Sequence, residues 1–122
     1  MKSSAKVRLA ATLVFLAIAF GAFGAHGLES RLEETGRLDN WETATLYHLI
    51  HGLAMFVIAL RGRRTPGFFC FLLGILLFSG SLYALALSDI GKLGAITPLG
   101  GVSFLVGWAS WIFASQHSLE KE

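Results

Sequence analysis

The chain has 122 residues, of which 54% are apolar and only 15% charged. Soluble domains run near 45–50% apolar with about 25% charged residues, so these values, with a mean hydropathy of +0.63, exclude an ordinary water-soluble core. The formal net charge of +2 needs no nucleic-acid partner, because basic residues flanking membrane segments account for it.

Four windows contain no Asp, Glu, Lys or Arg: Leu9–Leu28, Thr45–Leu60, Thr65–Leu87 and Leu93–His117. A water-soluble helix would interrupt such windows with charge on its solvated face, and a bilayer core about 30 Å thick requires roughly 20 apolar residues in a helix. The expected fold is therefore all-α: a polytopic membrane protein whose residues 1–122 form one membrane domain. Its four transmembrane helices, over about 8–34, 41–60, 66–88 and 94–116, should form an antiparallel bundle.

The first helix follows a basic segment of Lys2, Lys6 and Arg8, and Ala22-Phe23-Gly24 resembles a signal-peptidase site. Its apolar stretch of about 20 residues exceeds the 7–15 of a signal h-region, so we expect it to be retained. Leu28–Glu34 is expected to continue this helix into the headgroups and to stop near Gly36, a suitable C-terminal glycine. In Asp39-Asn40-Trp41-Glu42 we expect a capping box for the second helix, with Asp39 as N-cap and Glu42 at its third position. The second window is the shortest and includes Tyr47, His48 and His51, but leaving Leu49–Leu60 in water would expose a large apolar surface. Arg61-Gly62-Arg63-Arg64-Thr65-Pro66 reads as a tight basic turn, with Pro66 in the first turn of the third helix. Asp89–Lys92 should close the third helix, and Pro98 lies close to the start of the fourth.

Lysine and arginine in short loops orient membrane proteins. With the N-terminus inside, Lys2, Lys6, Arg8, Arg61, Arg63, Arg64 and Lys121 are cytoplasmic, against Arg31, Arg37 and Lys92 outside. Both termini are therefore expected in the cytoplasm. The outer loop is acidic, with Glu29, Glu33, Glu34, Asp39 and Glu42.

Small residues give the expected packing faces, since lipid offers no hydrophobic gain between helices and close backbone approach drives their association. In the fourth helix Gly100, Ser103, Gly107, Ser110 and Ala114 form one stripe, and in the first Ala17, Gly21 and Ala25 form another. Both should be buried, while Phe104, Trp108 and Trp111 should face lipid or the inner interface.

The polar residues within the helices gather toward the outer leaflet. They are His26 in the first helix, Tyr47, His48 and His51 in the second, Ser79, Ser81 and Tyr83 in the third, and Thr97 in the fourth. Intramembrane polar groups are costly and usually face the bundle interior or a wet cavity. Two readings are open: interhelical hydrogen bonds that pin the bundle, worth roughly 0.6 kcal/mol each, or a site formed as a polar pocket, proton relay or metal centre. The metal reading is weak, because His26, His48 and His51 would need to converge and no carboxylate or thiol lies at their depth. Cys70 belongs near the inner end of its helix, where an apolar-like role is its default. No cofactor is expected. The chain has no phosphate-cradling loop, no paired intramembrane carboxylates and no nucleophile elbow. It also lacks the first-helix glutamate on which small multidrug exporters depend.

Gly21-Ala22-Phe23-Gly24-Ala25-His26, then Trp41-Glu42-Thr43-Ala44 with Tyr47 and His51, resemble the YgdD/YwdK-type bacterial inner-membrane family. Leu77-Phe78-Ser79-Gly80-Ser81-Leu82-Tyr83, Thr97-Pro98-Leu99-Gly100-Gly101 and Gly107-Trp108 extend the resemblance from the first helix to the fourth. It implies a four-helix plasma-membrane protein and supplies no reaction. The expected function is thus a non-enzymatic membrane protein whose polar cluster stabilises the bundle or binds a small ligand or partner. Its partners would be the lipid bilayer and a second copy or another membrane protein. The alternatives are an oligomeric transporter or channel component and a histidine-based metal or redox protein.

Overall fold

A computed structural model describes residues 1–62 and 66–114. Arg63, Arg64 and Lys121, which enter the orientation count, lie outside these residues, as do the last two residues expected of the fourth helix.

The described residues form an all-α bundle with four helices long and apolar enough to cross a membrane, Ser3–Ala25, Leu38–Leu60, Pro66–Ser88 and Gly91–Ile112. The first span is helix α1 (Ser3–Ala25), followed by a short surface helix α2 (Glu29–Thr35). The second span is α3 (Leu38–Leu60). The third comprises α4 (Pro66–Gly74), a π turn at Ile75–Ser79 and α5 (Gly80–Ser88). A 3₁₀ turn at Gly91–Ala95 leads into α6 (Thr97–Ile112), which begins with Pro98 in its first turn.

The spans do not form a closed ring. The first packs on the second, the second on the third, and the third on the fourth, while the first and fourth have almost no contact. The middle pair is accordingly better covered. In their most apolar windows 39% and 44% of residues are buried, against 22% and 17% in the first and fourth spans. Large apolar side chains such as Phe15, Ile18, Leu105 and Ile112 point outward, as expected where the solvent is lipid. Aliphatic and phenylalanine side chains, including Met55, Ile58, Phe68, Phe71 and Ile75, fill the core toward the Arg61 end. Toward the other end the core contains Leu32, Trp41, Leu82, Leu85 and Ala86.

Two expected helix boundaries are corrected. The first helix does not run to Glu34. It stops at Ala25, and the chain turns through His26–Leu28, where the Leu28 N–H reaches back to the Phe23 carbonyl. The turn allows α2 to fold over the end of the third span, burying Leu32 against Trp41 and Ala86. There the Arg31 Nε–H donates to the Leu87 carbonyl (3.0 Å) and the Thr35 hydroxyl donates to the Ala86 carbonyl (2.9 Å). These two carbonyls belong to the last turn of a helix, which has no intrahelical donors for them. Gly36 does end the segment, in the left-handed conformation (φ 69°) that glycine adopts without a Cβ clash. The second correction concerns the capping box. The helix α3 starts at Leu38 with Arg37 as N-cap and no side-chain cap bond, so Asp39 lies inside the first turn. The Arg37 side chain instead pairs with Asp89 (3.1 Å) across the surface.

The expected packing stripe of the first helix also shifts. Gly21 has open space where a Cβ would be, and the buried residues are Ala10, Leu13, Ala17 and Gly24. At about 100° per residue, a step of four drifts about 40° round the helix whereas a step of seven drifts only about 20° the other way. From Ala17 the contact face therefore leads to Gly24 and leaves Gly21 behind. On α6, a Cβ on Gly100 would strike the Phe78 backbone, and one on Gly107 would meet the Phe71 ring and Cys70. The Ser103 hydroxyl donates across to the Cys70 carbonyl (2.7 Å), but Ser110 donates to Gly107 within its own helix (2.6 Å). The aromatic face is not simply turned to lipid. Phe104 is buried in a notch that Gly74 leaves in the third span, half-exposed Trp108 reaches toward the second span, and Trp111 is partly buried.

Candidate functional site

Hydrogen bonds tie together every pair of spans that pack on each other. The Trp41 indole N–H of the second span donates to the Phe20 carbonyl of the first (2.8 Å). This approach is possible because Gly24 has no side chain to obstruct the indole. Ser79, wholly buried at the end of the π turn, donates to the Ala44 carbonyl of the second span (2.8 Å). Ser81 and Thr97 join the third and fourth spans through their hydroxyls (2.6 Å), and Ser81 also donates to the Phe78 carbonyl (3.0 Å).

His48 and His51 do not act as one pair. His48 turns toward the first and third spans, where its Nδ1 bonds the Tyr83 hydroxyl (2.8 Å). Around this bond the Phe20, Trp41 and Tyr83 rings pack at centroid separations of 4.7–6.1 Å. The His48 Nε2 is buried without a hydrogen-bond partner among the described residues.

His51 turns the other way, toward the fourth span. Its Nδ1 bonds the Tyr47 carbonyl (2.7 Å), and its Nε2 accepts from the Trp108 indole N–H (3.0 Å). A carbonyl only accepts and an indole only donates, so these partners select the neutral tautomer with hydrogen on Nδ1. The ring lies flat on Phe104, with centroids 3.6 Å apart and planes 12° apart, and Tyr47 is parallel to it within 8°. Phe71 meets it edge-on at 5.2 Å.

This aromatic stack bridges the second and fourth spans, whose backbones scarcely approach each other, and leaves a cleft of about 440 Å³ on its outer side. Tyr47, His51, Gly101, Phe104, Leu105 and Trp108 are among its walls. A second cleft of about 320 Å³ continues past Trp108 toward Arg61. Sharing Trp108 as a wall, the two clefts follow one another along the seam between the two spans as a divided apolar groove.

Of the expected polar cluster, the structure brings His48 and Tyr83 together on one side of the second span, and Tyr47 and His51 on the other. Ser79, Ser81 and Thr97 form separate links between spans, and His26 is exposed in the turn after α1, outside both histidine networks. Among the described residues no three His, Cys, Asp or Glu side chains are arranged to hold a metal ion. Sequence reasoning missed Trp41, Trp108 and Phe104 as parts of these networks. For the two tryptophans the available signal was that an indole N–H held away from water requires an acceptor, and the Phe20 carbonyl and His51 supply them.

A family profile described as "Protein of unknown function (DUF423)" matches residues 20–101. The chain is 44% identical over 115 residues to the UPF0382 membrane protein YwdK of Bacillus subtilis, covering 88% of this chain and 92% of that protein. It is 45% identical to the UPF0382 membrane protein SERP0230 of Staphylococcus epidermidis, over 88% of this chain and 91% of that one. A UPF0382 membrane protein of Haemophilus influenzae is 42% identical, over 83% and 85% of the two chains. No solved structure matches. Four membrane-capable helices and this similarity along most of its length make the chain a member of the DUF423/UPF0382 family of membrane proteins.

Proposed function

We propose that the protein is a non-enzymatic, multi-pass component of the bacterial plasma membrane, with both termini cytoplasmic, that binds a bilayer-soluble molecule in the groove between its second and fourth spans. Its polar residues serve mainly to lock the bundle. The observation carrying this reading is the contrast between closed and open seams. His48, Ser79, Ser81, Tyr83 and Thr97 form bonds where spans pack closely, whereas Tyr47, His51 and Trp108, with His51 and Trp108 bonded to each other across the gap, line an open apolar cleft. Ligand sites of this kind are concave and mostly apolar, with a few placed polar groups. The orientation is supported by the excess of lysine and arginine on the N-terminal side.

An uncharged brominated fatty alcohol, a contact quencher of indole emission, tests the groove. The difference between the parent protein in detergent and Trp108→Phe isolates the Trp108 signal. That signal should be quenched saturably, and Gly101→Leu should remove the saturable component. A Cβ on Gly101 meets only the Phe78 ring, at 3.8 Å, so the leucine fills the cleft without entering the third-span backbone. Quenching that rises linearly with bulk quencher in both proteins would refute the proposal.

A further inference from the structure

The groove has a chemically distinct half. Beyond Trp108 its walls are Ala54, Val57, Ile58 and Phe71, and it ends at Trp111 and Arg61. Arg61 is exposed and forms no ion pair among the described residues. An apolar trough with Arg61 and Trp111 at its mouth suits an amphiphile with a hydrocarbon tail and an anionic head, since tryptophan and arginine favour the headgroup level of a bilayer.

Depth supports the same occupant. His51 and Arg61 are ten residues apart on one helix, which at 1.5 Å per residue is about 15 Å, half of a hydrocarbon core about 30 Å thick. The bond from Trp108 to His51 thus crosses the groove one leaflet below Arg61 and closes it at the depth where an acyl chain would end.

We propose that this half of the groove holds one acyl chain of an anionic phospholipid from the Arg61 leaflet, with its phosphate on Arg61. The inference rests on the groove being a binding site, and it adds the class of ligand. Arg61 supplies a guanidinium matched to phosphate oxygens, Val57 and Ile58 flank the chain, and Trp108 sets its depth.

The test is native mass spectrometry of the delipidated protein in detergent, titrated with dioleoyl phosphatidylglycerol or dioleoyl phosphatidylcholine. One phosphatidylglycerol should be retained about fivefold more tightly than phosphatidylcholine, the discrimination expected of one basic side chain near the headgroups. Arg61→Gln should bring the ratio toward one, weakening phosphatidylglycerol more than phosphatidylcholine, whose own choline cation already offsets its phosphate. Lys92→Gln, at the opposite end, should leave the ratio as it was. Val57→Trp, placed on a half-exposed rim residue, should weaken retention of both lipids. Inorganic phosphate at millimolar concentration should not displace the lipid. Equal retention of the two lipids, an unchanged ratio in Arg61→Gln, full retention in Val57→Trp, or displacement by phosphate alone would each overturn the proposal. Saturable Trp108 quenching combined with no lipid discrimination would sink this inference and leave the groove reading intact. Loss of that quenching would remove both.

Discussion

The two histidines of the second span are three residues apart, yet they occupy opposite kinds of surroundings. His48 lies in a seam where three spans close on one another, sealed by Phe20, Trp41 and Tyr83. His51 lies in a gap between two spans whose backbones stay apart, and aromatic rings bridge the space that close helix packing would otherwise remove. The closed seam depends on glycine, because Gly24 admits the Trp41 indole. The open seam depends on ring stacking and one indole bond. A polar residue in a membrane helix can therefore be a clamp or a wall, and its neighbours on adjacent helices decide which.

Substitutions that treat the two seams differently are the sharpest tests of this contrast. The largest effect is expected from Gly24→Leu, which drives a side chain into the Trp41 indole and should cost about 3 kcal/mol or more. Gly21→Leu, pointing into open space, should stay within about 0.5 kcal/mol. Denaturant titration in detergent micelles measures both, and similar losses would contradict the assigned contact face of α1. Next, Gly107→Leu should destabilise by about 2–3 kcal/mol through overlap with Phe71 and Cys70. Phe104→Leu should cost less, about 1–1.5 kcal/mol, since it only shortens a buried ring; a reversed order in thermal-shift assays would break the packing account of α6.

Tyr83→Phe, which leaves the His48 Nδ1 without its partner, should cost about 1 kcal/mol, within the range for bonds between membrane helices. It should not alter Trp108 fluorescence, whereas His51→Ala should shift that emission by freeing the indole. If Tyr83→Phe moved the Trp108 signal equally, the two seams would be coupled and the distinction lost. A change as small as that of Gly21→Leu, within about 0.5 kcal/mol, is expected from Gly101→Leu, even though it fills the cleft; a large loss there would show that the groove is a packed core.

The four spans could be read from charge-free windows because a bilayer penalises charge so heavily that its absence is itself a pattern. The glycines of the fourth span could be read from their spacing, and the structure places Gly100 and Gly107 where that spacing put them, against the third span. Less was legible where side-chain direction mattered. His48 and His51 share a depth, but three residues leave about 60° between them round the helix, enough for each to meet a different neighbour. Phe104 looked lipid-facing because its burial depends on Gly74, a residue in another span. The π turn at Ile75–Ser79 has no composition signature at all. The break after Ala25 was hidden because α2 owes its position to Leu32 and to carbonyls at the end of a span much later in the sequence.

That last arrangement has a consequence for assembly. The surface helix Glu29–Thr35 precedes the third span in the chain, so its hydroxyl and guanidinium stand ready as synthesis delivers the carbonyls of Ala86 and Leu87. Three spans and their lid can then complete one another before the last span is made. A protein cut after Ile90 should still protect the backbone amides around His48 and Tyr83 from hydrogen exchange while having no furrow for lipid, separating the part that folds first from the part that meets its surroundings.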